Sequence, residues 1–398
     1  MADIMKQLWV EEGPTEVQDF ISRTVRQLTR QIADRWSPQA IIMSGSFGRG
    51  EGTVKLLHSR LYCLSDFEIS VVRHCPIRTG ALLAAADTWS REKEVDIGLY
   101  YNPPLKYTMQ RAQRLYWRPG FVPVKYYDRC SGARVVWGRD YLANLSPVSV
   151  NDIPLWEGLR LIFNRTAQAL AHLKVPEDEK ERMKQAFWLY RIVISCQDAL
   201  LIAAQKYTSS YRARNNRLKR DFAALHPDLC EKLPELYEMS EEATDFKLKA
   251  GMVCPRTFDD LLDKTQRICK AVSAYLIHHD LGIRWDSTPQ MFDDYVHCPK
   301  VADTYYRFPS ATYQRIVNRF RLRRMSPGAS REFTVHHVYM LALLTFLQFH
   351  RSQEQSEDGL AFVEERLLSL LGDGIHQETD RDNAVKQTIH ALWHTLLT

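Results

Sequence analysis

Two acidic residues two positions apart, Asp66 and Glu68 in "LSDFEISVV" (Leu64 to Val72), have the type and spacing to do chemistry. The segment alternates polar and apolar residues, the pattern of a half-buried strand. Residues two apart on a strand point to the same side, so Asp66, Glu68 and Ser70 share one face while Phe67, Ile69 and Val71 share the other. Neighbouring carboxylates repel unless water or a cation lies between them. A hard divalent cation with oxygen ligands, Mg²⁺ or Mn²⁺, answers that need. Asp96, on a separate expected strand in "VDIGLYY", would complete a set of three if the two strands are neighbours. The bland alternative is a solvated sheet face.

A second stretch, "IIMSGSFGRGEG" (Ile41 to Gly52), ends an apolar run in a Gly-Ser bend. A position without a side chain lets backbone amides come close to a phosphate, and a hydroxyl beside it can donate to a phosphate oxygen. Gly45 and Ser46 are the candidates, with Arg49 and Lys55 able to add positive charge. The plain alternative is a strand-to-helix turn followed by a flexible loop tip, "GRGEG", with Glu51 on the loop surface. The stretch "FGRGEGTVKLLHSRLYCLS" between Ser46 and Asp66 reads as a hairpin or a lid.

Several elements must position these residues. Val17, Phe20, Ile21, Val25, Leu28 and Ile32 recur at helical spacing after Pro14-Thr15, and the helix should stop near Ser37-Pro38. "AIIMS" is a short buried strand. Thr79 to Glu94 should be helical, "VDIGLYY" a strand closed by Asn102-Pro103-Pro104, and "ARVVW" a fourth strand. Strands alternating with helices make residues 1–150 an α/β unit. Near Ser146 to Pro154 the pattern turns wholly helical. Residues 151–285 are then expected as a helical bundle. Residues 286–398 follow as a C-terminal helical segment, entered through a Pro- and Asp-rich connection from Leu281 to Pro309.

The order strand, Gly-Ser, short helix or loop, strand with Asp-x-Glu, later strand with Asp resembles the nucleotidyltransferase superfamily typified by DNA polymerase beta. "GSFGRGEG" with "SDFEISVV" is similar in particular to the minimal and kanamycin-type nucleotidyltransferases, over residues 40–140. The resemblance implies an α+β fold, with a nucleotidyltransferase domain built on a mixed sheet and helical domains after it. It also implies metal-dependent transfer of a nucleoside monophosphate from an NTP, here ATP, to an acceptor hydroxyl with release of pyrophosphate. Carried over by position, Gly45 and Ser46 would hold the β- and γ-phosphates, Asp66 and Glu68 would bind both metals, and Asp96 would bind the catalytic one. The stretch between Ser46 and Asp66 is longer than the compact spacing usual in that superfamily, which loosens the register of bend against carboxylates.

In the helical part, Asp198 stands charged within the apolar run "SCQDALLIAAQKY", so it must be paired or functional. Arg191 is the plain partner, and a base for the acceptor hydroxyl is the sharper reading. "YTSSYRARNNRLKR", which holds Tyr211 and Arg212, could grip a triphosphate or an anionic acceptor, or be a solvated face. "RIVNRFRLRR", Arg315 to Arg324, reads as basic surface, and Asn164-Arg165 as an interdomain hydrogen-bonding pair.

The chain has 398 residues and a formal charge of +5, too mild a basicity to mark a dedicated nucleic-acid binder. A small-molecule acceptor suits that balance better than a protein hydroxyl or an RNA end. Eight scattered cysteines with no C-x-x-C spacing suggest reduced thiols in a cytoplasmic protein. No apolar run is long enough to span a bilayer. Two other classes stay open: a non-catalytic nucleotide-binding protein, such as a toxin–antitoxin component, and a cyclic-oligonucleotide synthase.

Overall fold

The computed structural model describes residues 8–104, 122–145, 148–298, 335–349, 353–371 and 381–397. The chain forms two compact units. The first comprises Met1–Ile153, Gln205–Arg220 and Tyr237–Pro255, and the second Pro154–Ala204, Asp221–Leu236 and Arg256–Thr398. This differs from three consecutive domains. Two later segments return to the first unit, and the C-terminal segment belongs to the second.

The first unit begins with α1 (Thr15–Trp36), whose Val17, Ile21, Val25, Leu28 and Ile32 are buried on one stripe. It ends where Ser37 turns left-handed (φ 43°) and donates its amide to the Ala33 carbonyl. Next come β1 (Ala40–Ser44), the short α2 (Gly45–Arg49), and a hairpin of β2 (Val54–Leu57) and β3 (Arg60–Cys63). The hairpin turns through His58 and Ser59, both at positive φ (48° and 63°), as the type I′ turn of a two-residue hairpin loop requires. The stretch read as hairpin or lid is therefore a hairpin. Then follow β4 (Phe67–Val72), α3 (Thr79–Lys93), β5 (Ile97–Asn102), α4 (Val124–Gly132) and β6 (Arg134–Gly138). Helix α4 was not expected, because "VKYYDRCSG" carries no run of apolar residues at helical spacing.

The sheet runs β5-β4-β1-β6. Strands β4 and β5 are parallel, and β1 is antiparallel to both β4 and β6, so the sheet is mixed. Alternation divides the strands cleanly. Ile41 and Met43, Phe67, Ile69 and Val71, and Ile97 and Leu99 enter one core with α1 and α3, closed at the far side by Trp36 edge-on to Trp89. Ala40, Ile42 and Val72 face the other way, against Tyr141. Phe47 of α2 stacks on Phe67 at 4.3 Å, which adds about 1 kcal/mol beyond area burial and ties the Gly-Ser bend to the carboxylate strand.

The second unit is helical among the described residues. α5 (Trp156–Leu170) packs on α6 (Glu179–Ala203), which continues into α7 (Tyr211–Leu225), α8 (Pro227–Lys232), α9 (Glu235–Leu248) and α10 (Phe258–Leu276); α6 and α10 also pack together. Part of α7 and nearly all of α9 belong to the first unit. After α11 (Thr288–Val296), α12 (Val335–Gln348), α13 (Gln353–Leu371) and α14 (Arg381–Leu397) complete the unit. The basic stretch 315–324 lies outside the described residues. Among the described residues one helix, α6, is long and apolar enough to cross a membrane, and most of its apolar stretch is buried inside the protein. All eight cysteines are free thiols.

Candidate functional site

The carboxylates come first. Asp66 immediately precedes β4, and its amide neighbour Phe67 donates to the Asp96 carbonyl at 2.8 Å. In the parallel ladder Phe67 stands opposite Ile97 and Glu68 opposite Gly98. That register sets Asp66 beside Asp96 along the backbone, and alternation turns both, with Glu68, away from the face that carries Phe67 and Ile97. Asp66 and Asp96 are exposed and Glu68 is half-buried. Even so, among the described residues no group of three or more His, Cys, Asp or Glu side chains is gathered closely enough to hold a metal ion. The donor set suits a hard cation by type and by face; the side chains are not drawn together.

The Gly-Ser bend meets Glu68 directly. Ser44, paired with Glu68 in the β1–β4 register, donates from Oγ to the Glu68 carbonyl at 3.3 Å and reaches its Oε2 at 3.5 Å. Gly45 has φ +67°, and a Cβ there would sit 3.2 Å from Glu68 Oε1. A residue without a side chain takes this turn at the least steric cost and leaves the carboxylate its space. Ser46 follows, half-buried.

The site acquires a cation from an element that the sequence did not reveal. Lys125 on α4 places Nζ 3.7 Å from Glu68 Oε2 and 5.2 Å from the centre of the Tyr100 ring. Burial, then the charges of Glu68 and Asp66, push the Tyr100 phenol up to about 12, so it stays neutral.

The cationic residues expected at the phosphates are used otherwise. Arg49 is buried: its Nε lies 3.3 Å from Glu51 Oε2, one terminal nitrogen 3.5 Å from Asp128 Oδ2, and its plane over the Tyr211 ring at 5.1 Å. Burial opposes its charge, yet Asp128 and the tyrosines hold its proton above the ordinary range. Glu51, expected on a loop surface, is 5% exposed and accepts from the Tyr211 amide at 2.9 Å. The reason is Gly50, whose φ of +79° folds the loop back so that Gly52 donates to the Trp9 carbonyl. Asp128 also accepts from Tyr207 Oη at 3.1 Å, and Arg214 donates to that same hydroxyl at 3.1 Å. Burial raises the Asp128 pKa even against Arg49, Arg214 and Tyr207.

Lys55 is buried as well. Its ammonium donates to the Phe246 carbonyl, to that of Lys249 at 2.8 Å and to that of Met252 at 3.1 Å, which caps the end of α9. Burial, reinforced by the nearby Lys247 ammonium, pulls its pKa down to about 7. Lys247 in turn donates to Thr53 Oγ1 at 3.0 Å and lies over Tyr211 at 4.5 Å. Tyr211 is thus packed between cations. Arg212 bridges Glu11 at 2.9 Å, Glu12 at 3.4 Å and Asp245 at 2.6 Å. The stretch from Tyr207 to Arg220 is neither a bare solvated face nor an open anion grip. Tyr207, Arg214 and Asn215 are buried in it, and the Tyr211 amide holds Glu51 of the loop after the Gly-Ser bend.

The second unit keeps its own polar groups. Asp198 is buried in α6, while Arg191 lies over the rings of Phe187 and Trp188 at 5.1 and 5.0 Å. Asn164 accepts from Trp393 Nε1 at 3.0 Å, and Arg165 donates to Gln168 at 2.6 Å. All four belong to the second unit, so the expected interdomain bond is internal to it.

Lys125 and Asp128 carried no local signal, since neither stands in a recognisable periodic element. Tyr207 and Arg214 lay inside a stretch noted for its cations and hydroxyls, and only their partners were hidden. Comparison of the chain with protein-family models, curated proteins and solved structures gave no match.

Proposed function

We propose that the first unit is a nucleotidyltransferase domain of the DNA polymerase beta type. It transfers a nucleoside monophosphate from an NTP, ATP in the first instance, to an acceptor hydroxyl and releases pyrophosphate. The observation that carries this reading is the contact of bend and carboxylate: the open side of Gly45 faces the Glu68 carboxyl. The element order supports it too: Gly-Ser after β1, Asp-x-Glu at the head of β4, and Asp96 at the head of the adjacent parallel strand β5.

In this reading the Gly45 amide and Ser46 hydroxyl orient the β- and γ-phosphates, and Asp66, Glu68 and Asp96 supply hard oxygen ligands to Mg²⁺ or Mn²⁺. Bound metal would activate the acceptor oxygen and neutralise charge on the departing pyrophosphate. Ser44 holds the Glu68 backbone and carboxylate in place, and the neutral Tyr100 phenol adds no further negative charge to the face. Arg49 and Lys55 act one step back, by fixing the loop. A small molecule is the favoured acceptor, with RNA or protein hydroxyls as alternatives.

Incubation with labelled NTPs, Mg²⁺ or Mn²⁺ and a cell extract tests the proposal. We predict metal-dependent pyrophosphate release and label transfer, both reduced at least about a hundredfold by Asp66→Ala. The fraction that takes the label identifies the acceptor, and a cyclic labelled product would indicate an oligonucleotide synthase. Lys125 against Glu68 favours a second reading, a nucleotide-binding protein without turnover. Nucleotide binding without release under every metal and acceptor tried would select it.

A further inference from the structure

Glu68 is flanked by polar groups and by an aromatic ring. Its Oε2 faces both Ser44 Oγ and Lys125 Nζ. Tyr100, two residues beyond Gly98 on β5, leans back along its own strand, so that a Cβ on Gly98 would meet its hydroxyl at 2.9 Å. Gly98 is the register partner of Glu68, which sets the ring beside the carboxylate. The Lys125 ammonium is therefore held by a carboxylate at 3.7 Å and a ring face at 5.2 Å, two weak attractions that act together. Its side chain is 60% exposed.

We propose that Lys125 is the resident counter-cation of the carboxylate face, and that a divalent metal reaches Glu68 only by displacing this ammonium. The inference rests on the nucleotidyltransferase reading. It accounts for carboxylates that suit a metal by type and face but are not gathered for one: part of their charge is already balanced from within. A displaced ammonium needs a new anion, and the triphosphate supplies one. Metal and nucleotide should therefore bind with positive cooperativity, and the coupling should run through Lys125.

The experiment is a Mn²⁺ titration of the full chain, followed by the electron paramagnetic resonance signal of free Mn²⁺, with and without ATP. Wild type, Lys125→Met, Lys125→Arg and Asp66→Asn are compared. Removing one exposed charge of a pair should tighten Mn²⁺ binding about two- to fivefold without nucleotide. It should also reduce the gain in Mn²⁺ affinity that ATP brings, while Lys125→Arg behaves as wild type. Thermal unfolding of each variant checks that the exposed substitution leaves the fold intact. Mn²⁺ affinity unchanged or weakened in Lys125→Met, with binding still lost in Asp66→Asn, overturns the counter-cation role and leaves the transferase reading standing. Mn²⁺ binding absent from wild type and Lys125→Met alike, or indifferent to Asp66→Asn, overturns both.

Discussion

At the residue scale, the most consequential group outside the proposed site is Lys55. Three carbonyls receive its ammonium, yet burial and Lys247 pull its pKa from 10.5 to about 7. Between those values the unfolded chain carries a proton that the folded one has released, so stability rises with pH across the window. The thiol of Cys63, pushed by burial from 9.0 to about 12, acts in the opposite sense above its ordinary value, because only the unfolded chain then ionises. We predict that the urea midpoint of the wild type rises between about pH 7 and 9, a gain of roughly 2 kcal/mol, and that this slope vanishes in Lys55→Met. A slope unchanged by the substitution would assign the rise to other groups. Sequence could list Lys55 as a cation near a Gly-Ser bend. It could not show that carbonyls near the end of α9, almost two hundred residues later, would enclose it.

At the element scale, "GSFGRGEG" is a packed connection. Phe47 is fully buried against Phe67, and Glu51 and Arg49 turn inward to Asp128 and Tyr211. The bend at Gly50 makes this possible. Its φ is +79°, and a Cβ would stand 2.8 Å from the Leu8 carbonyl oxygen. We predict that Gly50→Ala costs at least about 2 kcal/mol, from the left-handed backbone and the clash together. A flexible loop tip would lose no more than about 0.5 kcal/mol. Urea unfolding distinguishes the two. The strands and α1 were legible because their apolar periods are strong, whereas α4 was not, because its burial depends on polar and aromatic partners from distant segments. Those partners also decide what the loop is: glycines look alike whether they serve mobility or close packing.

At the scale of the whole molecule, the first unit is assembled from three stretches of chain, and its polar interior draws on all of them. Glu51 and Asp128 of the first stretch need Tyr211 and Tyr207 of the second, and Lys55 needs the carbonyls of the third. Removing one partner of a buried charged group costs about 3–5 kcal/mol, and loss of several at once exceeds the usual stability of a domain. We predict that a chain truncated after Ile153 shows no cooperative unfolding by circular dichroism, whereas the full chain does. A fragment with a sharp transition would mean that the later stretches are dispensable. The sequence by itself determined the alternating strands, the helical texture after Pro154, the shared face of Asp66 and Glu68, and the Gly-Ser bend before them. Each follows from local periodicity or from the steric freedom of one residue type. Only the tertiary structure decided that Asp96 lies in register beside Asp66, that Lys125 faces Glu68, and that Arg49, Glu51 and Lys55 are interior. Those outcomes depend on strand order and on which distant groups satisfy a buried charge, and neither is written in the spacing of neighbouring residues.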